Sequence, residues 1–270
     1  MKQLPLMIGF GASSNKGKNE ISDIVSAAIE QQIKAFDTAP SYCTEEILGE
    51  VIAEKVRAGI ITREEIFLQT KIDIPQMVEG KIQKHVEMTL DEMKLKYIDS
   101  ILIHWPLPDL LSDTFVQLQK IKGKGLVKYI GICNLNPRLL SDYFKHDIIP
   151  DIIQIERNPL RICDKELEFC LQNGIILQAY SPLCKMNPEL LENITLKKIS
   201  YKYGKSIGQI ILRWHIQTNV YPVFATKKTE RIKEYSHIMD FKLTDEEILQ
   251  ISKLDKGYKR YLESWLCPGY

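Results

Sequence analysis

Eight short apolar runs alternate with amphipathic stretches along almost the whole chain, and few architectures accept such a pattern. The runs cover 6–11, 33–37, 66–71, 98–104, 127–133, 151–155, 175–180 and 220–225, and their length and β-branched content read as strands. Between them the apolar residues recur at helical spacing: Ile21, Ile24, Val25, Ala28 and Ile29 fall on one stripe of a helix. Within the runs they are nearly continuous, as at Ile101-Leu102-Ile103 and Ile175-Ile176-Leu177, which is expected of parallel strands covered on both faces. Eight β-α repeats over about 250 residues favour a closed (β/α)8 barrel, the TIM-barrel form of the α/β class. No linker or compositional break divides residues 1–270, so a single domain is expected. A further C-terminal helix is predicted to start at Thr244, where Thr244 and Glu247 have the spacing of a capping box. It leads into a tail, 258–270, in which Tyr261, Trp265 and Tyr270 show no helical period. The tail either covers the barrel mouth or packs on the barrel side.

Charge excludes several function classes. With 36 basic and 35 acidic side chains the chain has no basic footprint for nucleic acid or an anionic membrane, so any charged ligand must be met locally. The first residues lack the apolar core of a secretory signal, and no run approaches the roughly 18 apolar residues of a membrane span, which leads us to expect a cytoplasmic protein. A small-molecule substrate and a monomer are the corresponding expectations. Cysteines stand at 43, 133, 163, 170, 184 and 267 without a C-x-x-C pair or zinc spacing, so neither a disulfide framework nor a metal is expected. Cys163 and Cys170 read as small buried residues on one helix face, and Cys43 as a packing residue rather than a redox-sensitive thiol.

In a barrel of this kind the reactive groups come from the C-terminal ends of the strands and the loops after them. The second strand ends at Asp37, with Tyr42 in the loop beyond; the third ends at Lys71 and the fourth at His104. Singly, each of these is more often a packed or solvated residue than a functional one. On three adjacent strands at one rim they can converge. Lys71 would lower the pKa of the Tyr42 phenol, Asp37 would keep the ammonium charged, and His104 would hydrogen-bond the reacting oxygen or the phenol. Such a group can protonate a carbonyl oxygen while hydride reaches its carbon. Gly9-Phe10-Gly11 lacks the third glycine of a dinucleotide fingerprint, so the barrel itself would have to hold a nicotinamide. Tyr180 could stack on its ring, and Asn134 and Gln154 could bond its carboxamide.

These residues resemble the aldo-keto reductases. The segment Asp37-Thr38-Ala39-Pro40-Ser41-Tyr42-Cys43-Thr44-Glu45 is similar to that family's D-T-A-x-x-Y-x-x-E signature, Thr70-Lys71 to its lysine motif and His104-Trp105-Pro106 to its histidine motif. Gly131-Ile132-Cys133-Asn134 resembles G-x-S-N, and Ala179-Tyr180-Ser181-Pro182-Leu183 resembles A-Y-S-P-L. The resemblance implies reduction of aldehydes or ketones by NADPH, with Tyr42 as acid, Lys71 and Asp37 tuning it, and His104 orienting the carbonyl. It further implies that Asn134, Gln154, Tyr180, Ser181 and Leu183 bind the cofactor, with Thr226, Arg231 and Glu234 at its adenosine end.

Three positions depart from the family pattern. Ala225 replaces the usual lysine for the 2′-phosphate, leaving Lys227, Lys228 and Arg231 to compensate and NADH as an alternative to NADPH. Cys133 replaces a serine, a better hydrogen-bond donor than a thiol. Ser13 stands where many members carry tryptophan. The loop after the fourth strand is short, from Pro106 to Leu111, which makes Trp105, Leu107 and Trp265 the substrate-contact candidates. Two other classes remain to be weighed: a cofactor-binding regulatory protein with negligible turnover, and a lyase forming a Schiff base on Lys71.

Overall fold

The computed structural model describes residues 6–11, 17–135 and 148–261. Its strands are β1 (Met7–Gly9), β2 (Ala35–Asp37), β3 (Phe67–Ile72), β4 (Ile98–Ile103), β5 (Val127–Cys133), β6 (Ile152–Glu156), β7 (Ile176–Tyr180) and β8 (Val220–Phe224). All eight sit within the runs read from the sequence or one residue beyond them. Each pairs in parallel with the next, and β8 closes on β1 through Met7 with Val223 and Ile8 with Phe224, giving a closed barrel. All six residues of β4 and all five of β6 are buried, as continuous apolar runs require. Gly131 on β5 permits the close pairing with β6, since a Cβ there would lie 2.3 Å from the carbonyl oxygen of Ile152.

The helices among the described residues are α1 (Lys18–Glu30), α2 (Glu45–Arg57), α3 (Ile74–Glu79), α4 (Ile82–Glu92), α5 (Pro108–Gly123), α6 (Asp164–Gln172), α7 (Pro188–Leu191), α8 (Ile194–Tyr203), α9 (Ile207–Gln217), α10 (Thr229–Ser236) and α11 (Asp245–Ser252). The expected stripe of α1 is the face it buries. Apolar clusters between helices and sheet contain most of the core, around Phe115, Ile130 and Ile153 on one side and Ile24, Phe36 and Leu48 on another. The helix expected from Thr244 is α11; Thr244 accepts from the Glu247 amide at 3.2 Å and the Glu247 carboxylate accepts from the Thr244 amide at 2.8 Å.

Some local readings are corrected. Cys163 is not on a helix face: it is the N-cap of α6 with φ of 50°, and Cys170 alone is buried there. Cys43 is exposed in a left-handed turn, so it does not pack. None of the described helices is long and apolar enough to cross a membrane. Ser13 and Trp265 lie outside the described residues.

Candidate active site

Strand alternation decides which side chains enter the barrel. On β3, Gln69 points inward, because its amide bonds Gln178 across the barrel at 2.9 Å, and Lys71 two residues on shares that face. The adjacent β2 presents Asp37. Lys71 is 1% exposed, and its ammonium donates to both carboxylate oxygens of Asp37 at 2.8 and 2.9 Å and to the Thr38 carbonyl at 2.9 Å. Asp37 also accepts from Gln69 at 2.7 Å and from Gln154 at 3.4 Å. Thus a glutamine network forms a polar floor that fixes the carboxylate. Burial, the largest single influence, works to lower the pKa of Lys71, but the Asp37 charge and hydrogen bonds together with the neighbouring Tyr42 and Cys133 outweigh it and the value is raised, so the amine stays protonated.

After Ala39 the chain makes one short turn, Pro40–Tyr42, that brings the Tyr42 ring over the barrel end. The Lys71 ammonium lies 4.8 Å from that ring's centroid, and the phenol oxygen is 3.4 Å from His104 Nε2. The four groups therefore do converge. The electrostatic expectation for Tyr42 is reversed: burial raises its pKa to about 12, and the Lys71 charge offsets only part of that.

Asp73, which the sequence reading did not single out, completes the cluster. It caps α3, two residues beyond Lys71, and its Oδ1 is hydrogen-bonded to His104 Nδ1 while Oδ2 accepts the Ser41 amide at 2.8 Å. The one available signal was an acid close behind the strand-end lysine, which alone has no specificity. Burial pushes the Asp73 carboxyl up, yet the bonds from His104 and Ser41 prevail and its pKa is lowered.

The expected nicotinamide residues surround the same end. Asn134 adopts a left-handed conformation (φ 60°) and donates to the His104 carbonyl at 3.0 Å; its Oδ1 is buried with no hydrogen-bond partner. A buried acceptor left unpaired is costly and suits a carboxamide N–H. Gln154 Nε2 is committed to Gln178 at 2.8 Å, while among the described residues its Oε1 receives only the Cys133 thiol at 3.9 Å, so this oxygen too can accept. The ring of Tyr180 meets that of Tyr261 edge-on at 5.6 Å, and the Ser181 hydroxyl donates to the Tyr261 oxygen at 3.5 Å. The start of the tail thus lies against this rim, with the Arg260 and Tyr261 amides bonded to the buried Glu156 carboxylate at 3.0 and 3.1 Å. Leu183 is half-buried between two apolar clusters.

Farther out, Arg231 pairs with Glu234 at 2.5 Å, and Glu234 also accepts the Ser206 hydroxyl. Thr226 accepts the Lys228 amide at 3.0 Å. Beside them is a recess lined by Glu20, Asp23, Ile24, Lys227, Lys228 and Thr229, where both signs of charge meet. Of the substrate candidates, Trp105 stacks on His104 at 6.2 Å, and Leu107 is half-buried against the apolar core. The connection after β4 is shorter than expected, since α5 already begins at Pro108. Among the described residues no group of three His, Cys, Asp or Glu could hold a metal ion.

Comparison with known proteins gives this geometry a context. A family model described as the Aldo/keto reductase family matches residues 7–256. Glyoxal reductase of Bacillus subtilis is 36% identical over 250 residues, covering 92% of this chain and 88% of that protein. Aldose reductase B of Dictyostelium discoideum is 30% identical, covering 97% and 92% respectively. The crystal structure of a Bombyx mori aldo-keto reductase in complex with NADP superposes with a TM-score of 0.87 at 30% identity, covering 94% of this chain and 90% of that one.

Proposed function

The chain belongs to the aldo/keto reductase family, and on that premise we propose that it reduces an aldehyde or ketone to the alcohol with NADPH as hydride source. The observation that carries the reading is the Tyr42 phenol, in reach of His104 and set over a buried Lys71–Asp37 pair. Asn134 Oδ1 and Gln154 Oε1 would accept from the nicotinamide carboxamide, and Tyr180 would lie against the ring once Tyr261 yields. Bound there, the reduced nicotinamide supplies hydride to the carbonyl carbon.

The remaining chemistry falls to the chain's own side chains. With a pKa near 12, Tyr42 carries its proton throughout the physiological range, and the alkoxide developing on the substrate is a stronger base than the phenolate left behind. Lys71 stabilises that phenolate as it forms, while Asp37 keeps the ammonium charged and fixed. The same pairing speaks against a Schiff-base lyase, which needs a neutral amine. Trp105, beside His104, is positioned to flank the carbonyl substrate.

The test is an NADPH-oxidation screen over glyoxal, other aldehydes, ketones and sugar-derived ketoacids, repeated with NADH. Tyr42→Phe is expected to lower kcat by roughly 10² or more and to leave the NADPH dissociation constant within about twofold. Retention of activity within a few-fold overturns the assignment of the acid. Quenching by NADPH without turnover of any carbonyl would replace this reading with that of a cofactor-binding regulatory protein.

A further inference from the structure

His104 is bonded through both ring nitrogens: Nδ1 to Asp73 and Nε2 to the Tyr42 hydroxyl at 3.4 Å. An ionised carboxylate only accepts, and the lowered pKa of Asp73 keeps it ionised, so Nδ1 must carry a hydrogen whether the ring is neutral or charged. The nitrogen that can gain or lose a proton is then Nε2, the one facing the phenol. The second oxygen of Asp73 takes the amide of Ser41, the residue before Tyr42. One carboxylate therefore spans the two loops that carry the phenol and the imidazole. The Asp73 backbone is itself held, because the Gln76 side chain accepts the Asp73 amide at 3.0 Å at the start of α3.

We propose that Asp73 is a positioning residue for the reduction: it fixes the Nδ1–H tautomer of His104 and ties the Tyr42 turn to it, so that Nε2 and the phenol oxygen stay in register. The proposal rests on the carbonyl-reduction reading above. In the proton step the Tyr42 O–H bond breaks as the substrate O–H bond forms. Nε2, which carries only a lone pair in this tautomer, takes a proton from water at the imidazole, 16% exposed, and passes it to the phenolate, which restores both the phenol and the neutral Nδ1–H ring. Asp73 itself exchanges no proton.

The experiment has two arms. In ¹⁵N spectra of imidazole-labelled wild-type protein, with His104 assigned through His104→Gln, a protonated Nδ1 is expected; a neutral ring protonated at Nε2 overturns the proposal without any Asp73 variant having to fold. In the kinetic arm, Asp73→Asn retains shape and one acceptor but cannot serve both partners as an anion. It is expected to lower kcat for glyoxal reduction by roughly ten- to a hundredfold, the scale on which loss of an orienting partner acts. The NADPH dissociation constant should stay within about twofold, and in the His104→Gln background the same substitution should cost no more than about threefold. An unchanged kcat, or losses that multiply fully in the double variant, overturns the role. If wild-type protein reduces no carbonyl, the function assigned above fails, and the imidazole spectra still decide what Asp73 does to His104.

Discussion

Asp37 and Lys71 are 3% and 1% exposed, so neither can remain charged without the other, and the pair is also held by Gln69, Gln154 and the Thr38 carbonyl. Removing one partner leaves an uncompensated buried charge. Asp37→Ala is therefore expected to destabilise the fold by about 3–5 kcal/mol, read from urea denaturation, besides abolishing turnover; a loss under about 1 kcal/mol would mean that water reaches the ammonium. Tyr42 gives a pH dependence of definite sign. Its folded pKa of about 12 lies above the value of about 10 for a free phenol. Between those values the unfolded chain has lost the proton and the folded one has kept it, so this residue lowers stability as pH rises from 10 to 12. Tyr42→Phe should retain more of its pH 8 stability at pH 11 than wild type does, and an identical alkaline decline would contradict the half-buried, neutral phenol. The four converging residues were legible because three stand at strand ends and Tyr42 in the loop after one, each within a motif. The net direction of the Tyr42 shift was not, because the sequence shows the nearby lysine but not the depth of burial. Asp73 was missed for a related reason: only the turn at 40–42 and the end of β4 bring Ser41 and His104 to its two oxygens.

At the scale of elements, patterns with a short repeat survived and boundaries shifted where backbone bonds are spent elsewhere. β2 starts at Ala35 rather than at Ile33 because the Ile33 amide closes α1, bonding the Ala28 carbonyl at 2.8 Å after Gln32 turns left-handed. The apolar run beginning at Ile33 suggested a strand residue, and Ile33 is buried, but its hydrogen bond belongs to the helix end. After β7 three helices precede β8, each with its own start: Asn187 and Pro188 start α7, Asn193 starts α8, and Ser206 starts α9, each Asn or Ser side chain accepting a first-turn amide. The cap at Thr244 was read, and it yields a prediction confined to its element. Thr244→Ala removes the bond to the Glu247 amide and should cost about 0.5–2 kcal/mol in thermal or urea unfolding, with kcat and the NADPH dissociation constant unchanged. A change in turnover would mean that α11, on the outside of the barrel, is coupled to the rim.

Over the whole molecule, a formal charge of +1 provides no long-range attraction for a polyanionic dinucleotide, so discrimination between NADPH and NADH has to come from a few side chains at the end of the site remote from Tyr42. That end is built unevenly. Ala225, exposed where the resembling family carries lysine, offers no charge, and Lys227 and Lys228 share their recess with Glu20, Asp23 and Glu230. Arg231 is the cation best suited to a phosphate, because a guanidinium can bind two oxygens at once, but here it is engaged with Glu234. To reach a 2′-phosphate it would have to leave that carboxylate, which keeps a second partner in the Ser206 hydroxyl and so is not stranded by the exchange. A bond between ionised groups contributes about 1.5–3 kcal/mol, so Arg231→Ala is expected to weaken NADPH by roughly ten- to a hundredfold and NADH by less than about twofold. The gap should narrow as salt is raised, since Arg231 is half exposed and its attraction is screened. Titration of both nucleotides by fluorescence quenching at low and high ionic strength measures each quantity. Equal weakening of the two would exclude Arg231 from the phosphate and leave Lys227 and Lys228, with their acidic neighbours, as the remaining cations, in which case wild type itself should distinguish the two cofactors poorly.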